Sequence, residues 1–394
     1  MSAGRPIYLD HHATTPADPR VVEAMLPYFT EHFGNAASRQ HALGWKASEA
    51  VEHARHQVAR LLGARAKEIV FTSGATEANA LAIRGVLGAR RDKGAHVVTV
   101  ASEHKSVLDL CQQLAGEGGR VTVVEIERDG RVDPARVAAA IDDDTVLVSV
   151  MTANNEIGVM HPLAEVSKVC RARGVWLHTD AVQAAGHVPF DVEALGIDLA
   201  SVTAHKMYGP KGVGALYVRR APKVTINPQA VGGGQEQGLR AGTLNVPAIV
   251  GFGAAAAIAR DGLASEGPRV AVLRDRLRDQ LMRSLEGVTV NGSMSARLPH
   301  NLHLSFAGVD GEALMTSLAD DVAVSSGSAC ASGSREPSHV MRALGVTGVQ
   351  RWGALRFGLG RGTSSQDIDA AVARVVDSVM RLRAMSPVGM GGPA

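Results

Sequence analysis

Between Glu68 and Val218 short runs rich in β-branched residues alternate with helical patterns, and this alternation leaves few folds open to the chain. The runs Glu68 to Thr72, His96 to Ala101, Arg120 to Ile126, Thr145 to Met151, Val175 to Thr179, Leu199 to Ala204 and Gly214 to Val218 read as strands. Helical patterns at Glu77 to Arg91, His104 to Gly116, Pro134 to Ile141 and Leu163 to Arg173 lie between most of them. Strands joined through helices need crossover connections, so the expected class is α/β, a doubly wound and mainly parallel seven-stranded sheet. The 43 glycines and the 4% aromatic content suit a fold with many tight strand-to-helix turns.

Beyond Gly251 the pattern changes. A helix over Arg269 to Leu285, strand-like segments at Val288 to Asn291 and Asn301 to Phe306, and a helix over Ser365 to Met385 predict a smaller α+β unit. The expected division is a large domain over residues 16–260, a small domain from 1–15 and 261–385 that carries the loop around Cys330, and a mobile tail at 386–394.

The formal charge of +2 offers no basic surface for nucleic acid or an anionic membrane. The opening Met-Ser-Ala-Gly-Arg-Pro lacks an apolar signal core, and the Ala/Gly-rich run near Val250 to Ala259 is too short for a bilayer, so a cytoplasmic location is expected. The three cysteines, Cys111, Cys170 and Cys330, have no close pairing, which argues against a disulfide framework and a zinc site. Adjacent His11 and His12 cannot share one face of a helix or strand, so no metal is expected there either.

Ligands of open α/β sheets bind beyond the carboxyl ends of the strands, which directs attention to the polar residues there. Ser73-Gly74-Ala75-Thr76-Glu77 follows a strand and opens a helix, so it reads either as an anion cup or as an ordinary capped turn. His178-Thr179-Asp180-Ala181-Val182-Gln183 places a carboxylate at a strand end, either to face a protonated ring nitrogen or to cap a turn with Gln183 on the surface. Thr203-Ala204-His205-Lys206 follows a strand without charges and delivers a lysine beside hydroxyl and imidazole groups, the setting of a Schiff-base lysine. Lys211 reads as a solvated or positioning charge, and His53, His56 and His339 as solvated helix positions.

These pieces resemble the class V aminotransferase family of type I fold pyridoxal-phosphate enzymes, and within it the cysteine desulfurases. The resemblance extends through Tyr8 to Pro16, Gly34-Asn35, Ser102-Glu103-His104, Asn154 to Gly158, Gly232 to Glu236, Arg240 to Thr243 and Ser325 to Cys330. It implies that Lys206 binds pyridoxal 5′-phosphate as a Schiff base and shuttles a proton, that Asp180 pairs with the pyridine nitrogen, and that His104 stacks on the ring. Gln183 would approach the phenolic oxygen. Thr76, Thr203 and His205 would hold the phosphate, with Ala75 beside them and Thr243 arriving from the neighbouring subunit of a homodimer. Asn155 and Arg356 would take the substrate carboxylate, Arg356 through its planar fork or, read differently, as a surface ion pair.

Cys330 separates the functions open to such a site. The Ser, Gly and Ala of Ser325 to Ser334 cannot pack tightly, which predicts a mobile loop with a reactive thiol, whereas Cys111 and Cys170 sit on helical patterns and read as packing residues. The resemblance then implies conversion of L-cysteine to alanine with sulfur retained on Cys330 and passed to an acceptor protein. The loop and the segment Glu336 to Gly345 resemble the long-loop, nitrogen-fixation type that serves iron-sulfur assembly. A selenocysteine lyase, another class V aminotransferase, or a docking protein for sulfur carriers are the competing expectations. Thr203, Ala241 and Gly358 stand where the family commonly has Ser, and Gln237 where Arg is frequent.

Overall fold

The structure is a computed structural model and describes residues 5–326, 338–346 and 353–385. A short strand β1 (Ile7–Tyr8) precedes seven that form one sheet: β2 (Ile69–Thr72), β3 (His96–Val100), β4 (Arg120–Val124), β5 (Thr145–Ser149), β6 (Trp176–Asp180), β7 (Leu199–Thr203) and β8 (Gly214–Val218). Their order is β2-β8-β7-β6-β5-β3-β4. Only β8 runs against its neighbours, so the sheet is mainly parallel as expected. All residues of β2, β3, β5, β7 and β8 are buried, because helices cover both faces and no side of these strands meets water.

A helix over Ala42–Leu62, which the sequence reading did not assign, packs along one face. The helix expected from Arg269 begins much earlier and spans Val246–Ser284, continuing across Pro268. Gly253 explains the crossing of these two helices, since a Cβ there would lie 2.6 Å from the Cα of Ala54. Burial of Phe252, Ala255, Ala256 and Ala259 outweighs the roughly 3 kcal/mol that proline costs a helix interior. By length and composition this helix reaches what a bilayer crossing needs, unlike the short run read from the sequence, but half of its most apolar window is buried in the core.

The later segments form a second sheet of β9 (Val288–Val290), β10 (Asn301–Phe306) and β12 (Ala354–Gly358), while β1 pairs in parallel with β11 (Val322–Ala323). A separate apolar core joins Leu9, Leu277, Leu302, Phe306, Phe357 and Val375 beneath it. Strand β12 went unread in the sequence because Arg356 interrupts its apolar run. The arginine is nevertheless buried, held at 2.8 Å by Asp10.

A buried ion pair fixes the loop that follows β8. Arg55 donates to both carboxylate oxygens of Glu236 at 2.7 and 2.8 Å, and the Phe71 amide donates to the same carboxylate at 2.6 Å. Glu236 and Gln237 both occupy left-handed backbone, at φ 47° and 60°, a conformation that persists only where surrounding contacts over-determine it. Glu236→Gln is expected to destabilise the protein by about 3 kcal/mol, because it leaves the buried Arg55 charge with only the exposed Glu52 carboxylate, 3.0 Å from its Nε, as counter-ion. Urea unfolding should show a lower midpoint with an unchanged slope.

Candidate active site

A cavity of about 630 Å³ opens at the carboxyl ends of β2, β6 and β7. The loop after β2 contributes Ser73 to Thr76, the end of β6 contributes Asp180 and Gln183, and the turn after β7 contributes Thr203, His205 and Lys206. Asn155, His104 and Arg356 also line it, so all but one of the expected cofactor and substrate residues within the described chain converge there. The exception, Thr243, is exposed and does not line this cavity. Cys330 lies outside the described residues, as do 386–394 and residues 336 and 337 of the segment Glu336 to Gly345.

Lys206 sits in a short turn of helix over Ala204–Lys206, so its position is set by backbone bonds. Its ammonium donates to the carbonyl oxygens of His12 and of Ala13, the latter at 2.7 Å. Asp180 is buried and held at both oxygens: the Val182 amide donates to Oδ1 at 3.0 Å and Asn79 Nδ2 to Oδ2 at 2.9 Å. It therefore both caps its turn and faces the cavity. Asn79 also donates to Ser106 Oγ at 3.0 Å, and that hydroxyl lies 2.9 Å from His104 Nδ1, which links the carboxylate to the imidazole. Because Nδ1 also accepts from the Ser106 amide at 3.1 Å, a neutral His104 carries its proton on Nε2. Below this network, burial pushes the Glu103 carboxyl well above its usual range, with Asp180 adding to the shift.

At the other end, Thr76 lies in the first turn of the helix over Ala75–Ala89 and is exposed, and the N-terminus of that helix faces the cavity. Aligned amides there favour an anion. His205 Nδ1 lies 3.1 Å from the Thr14 hydroxyl, and burial, followed by the charges of Lys206 and Lys211, lowers its imidazole to about 4. The Thr203 hydroxyl donates to the Val213 carbonyl at 3.1 Å, so its proton is used within the backbone and only its lone pairs face the cavity. Lys211 is exposed at the rim.

Gln183 is buried rather than on the surface, its Oε1 2.8 Å from His12 Nδ1. Arg356 donates to the Asn155 carbonyl at 2.8 Å besides pairing with Asp10, which removes the surface ion-pair reading. His339 corrects an expectation. It is half-buried, not solvated, and its Nε2 donates to the Glu103 carbonyl at 2.9 Å, because Ser338 caps the helix over His339–Ala343 and bonds Glu156. His53 and His56 are exposed as expected. Asn79, Ser106 and Arg342 are not read as site residues from the sequence, and His12 and His339, considered there only as a metal ligand and a solvated position, join them at the cavity. Asn79 alone carried a signal, standing three residues after Thr76 on one helix face.

Cys111 and Cys170 are buried, and burial pushes both thiols up to about 12.

A lysine amine, a held carboxylate and a helix N-terminus around one cavity make a class of site that forms a Schiff base with a phosphorylated aldehyde. Residues 7–371 match the aminotransferase class-V family, and the chain belongs to it. Cysteine desulfurase IscS of Anaeromyxobacter sp. (strain Fw109-5) is 58% identical over 97% of this chain and 95% of its own. A solved NifS-like protein superposes with a TM-score of 0.90 at 35% identity, covering 96% of this chain and all of that one. A further structure, SspA in complex with cysteine, gives a TM-score of 0.80 at 34% identity over 89% of this chain and 98% of that one. Enzymes of this family depend on pyridoxal phosphate, and the cavity's donors suit that group.

Proposed function

We propose that the chain is a cysteine desulfurase that converts L-cysteine to L-alanine and supplies sulfur to iron-sulfur cluster or thio-cofactor assembly. The observation that carries the proposal is the convergence of Lys206, Asp180, Gln183, His104 and Arg356 on one cavity, with the ends of the Cys330 segment beside it. When bound, pyridoxal phosphate withdraws electrons from the substrate α-carbon. Lys206 would hold the cofactor and move the α-proton, Asp180 would keep the ring nitrogen protonated, and His104 would cover the ring face. Gln183 would donate to the phenolic oxygen. Ala75 and Thr76, with Thr203 and His205, would surround the phosphate, joined by Thr243 of a second subunit in a homodimer. Arg356 and Asn155 would hold the substrate carboxylate.

The sulfur step balances as L-cysteine plus the Cys330 thiol giving L-alanine plus a Cys330 persulfide. Ser325 exchanges backbone hydrogen bonds with Arg356, and Ser338 lines the cavity, so both flanks of the Cys330 segment are anchored at the site. Cys330 follows Ser326 by four residues, a tether of at most about 14 Å. The other two cysteines are buried with thiols too weakly acidic to ionise, which leaves Cys330 as the one chemically suited acceptor. The separate core beneath β10 and β12 supports a division into a cofactor unit at 16–260 and a smaller unit at 1–15 and 261–385. Half of the most apolar window of the Val246–Ser284 helix is buried in the core, which supports a cytoplasmic location, and a persulfide on Cys330 requires a sulfur-accepting protein partner.

Cys330→Ala is expected to lower alanine release from L-cysteine by at least about 10²-fold, the scale on which a removed nucleophile acts, while leaving the cofactor absorbance intact. Full-rate alanine release by this variant would point to a lyase or aminotransferase acting without a persulfide.

A further inference from the structure

His12 stands against Gln183 in a way that decides what the amide presents to the cavity. Gln183 Nε2 donates to the His12 carbonyl oxygen at 3.2 Å, and its Oε1 lies 2.8 Å from His12 Nδ1. The first contact fixes the amide, since a flipped side chain would set two oxygens against each other. With Oε1 then facing the ring, Nδ1 must carry a proton. Burial, together with the charges of Arg356, His187 and Lys206, holds the His12 imidazole well below its ordinary range, so the ring is the neutral Nδ1–H form.

The remainder of the ring is equally constrained. His12 stacks on His300 at 4.4 Å, His300 stacks on His187 at 4.1 Å, and His187 Nε2 donates to the Lys206 carbonyl at 2.8 Å. Among the described residues His12 Nε2 is buried with no hydrogen-bond partner, and these histidines form no metal-binding group. The backbone at residue 358 closes against this ring. A Cβ at Gly358 would lie 2.8 Å from His12 Cδ2 and 2.9 Å from the amide nitrogens of His11 and His12, so the glycine makes room for the imidazole.

We propose that His12 is a positioning residue of the cofactor pocket, whose Nδ1–H and carbonyl oxygen lock the Gln183 amide so that its second N–H faces the phenolic oxygen of pyridoxal phosphate. The proposal rests on the reading that Gln183 addresses that oxygen. A donor there draws charge from the ring and lowers the basicity of the Schiff base; losing it raises that basicity.

His12→Leu and His12→Asn test this as a matched pair. The two side chains have the same shape, and neither stacks on His300 as imidazole does, but Asn Nδ2 can donate where Nδ1 did. The readouts are the pH titration of the Schiff-base absorbance in the holoenzyme and the affinity of apoenzyme for pyridoxal phosphate, with Gln183→Leu as reference. Gln183→Leu and His12→Leu should each raise the titration midpoint by about one unit and weaken cofactor binding about tenfold, on the scale of one hydrogen bond to a charged group. His12→Asn should stay close to wild type in both. An unshifted His12→Leu beside a shifted Gln183→Leu overturns the role of His12 alone. Asn and Leu variants shifted alike overturn it too, because packing rather than the donor would then be responsible. If Gln183→Leu itself leaves the titration unmoved, the reading of Gln183 falls and takes the proposal with it.

Discussion

Lys206→Ala is expected to remove the Schiff-base absorbance and to lower turnover of L-cysteine by about 10³-fold or more. Two functions are lost together: the covalent anchor of the cofactor, and a positioned proton carrier of the kind that contributes about 10²–10⁴-fold by itself. The geometry makes the effect specific to this lysine. Lys105 and Lys211 also border the cavity, but Lys206 alone issues from the end of β7, where its ammonium bonds the His12 and Ala13 carbonyls. The measurement is the absorbance of the purified variant reconstituted with pyridoxal phosphate, followed by alanine release. A band that survives the substitution would transfer the anchor to one of the two rim lysines and overturn the assignment.

Asp180→Asn should lower kcat by about 10²–10³-fold, the loss that follows removal of one preorganised electrostatic partner. The substitution keeps the volume and the contact with Val182, so the fold should survive. Asn79 Nδ2 and the Val182 amide donate to different oxygens of the carboxylate, and an amide at 180 offers one oxygen, so with the Val182 contact kept its NH2 meets Asn79, which must turn its own amide over to accept. The neighbouring Glu103 cannot substitute, because it is fully buried with the Met151 amide donating to its Oε1 and does not line the cavity. Steady-state kinetics with measured cofactor content separates this from simple loss of pyridoxal phosphate. Wild-type kcat in the variant would leave Asp180 with the turn-capping role alone.

Much of the central sheet was legible because its strands carry unbroken apolar runs between helical patterns, and those patterns depend only on local sequence. The expected strands at Leu199 to Ala204 and Gly214 to Val218 match β7 and β8 to within a residue. The helix over Ala42–Leu62 was not, since Gly44, Trp45, His53 and His56 give it a mixed face, and its stability comes from packing on Val246–Ser284. The helix expected from Arg269 likewise begins earlier, at Val246, because burial of the alanines before Pro268 outweighs the cost of the proline. Strand β12 hid behind a charged residue whose partner, Asp10, stands 346 positions away.

The candidate site divides in the same manner. Lys206, Asp180 and the Ser73 to Thr76 turn were readable because each follows a strand, and the carboxyl end of a parallel sheet is where such residues meet. The sequence by itself also singled out Cys330 through the Ser, Gly and Ala around it. What only the tertiary structure decided is the company these residues keep. Asn79 reaches Asp180 from the helix over Ala75–Ala89, His339 turns inward on the Glu103 carbonyl, and His12 grips Gln183 across 171 positions of sequence. These are side-chain hydrogen bonds between distant segments, set by how the segments cross, and no local periodicity records them.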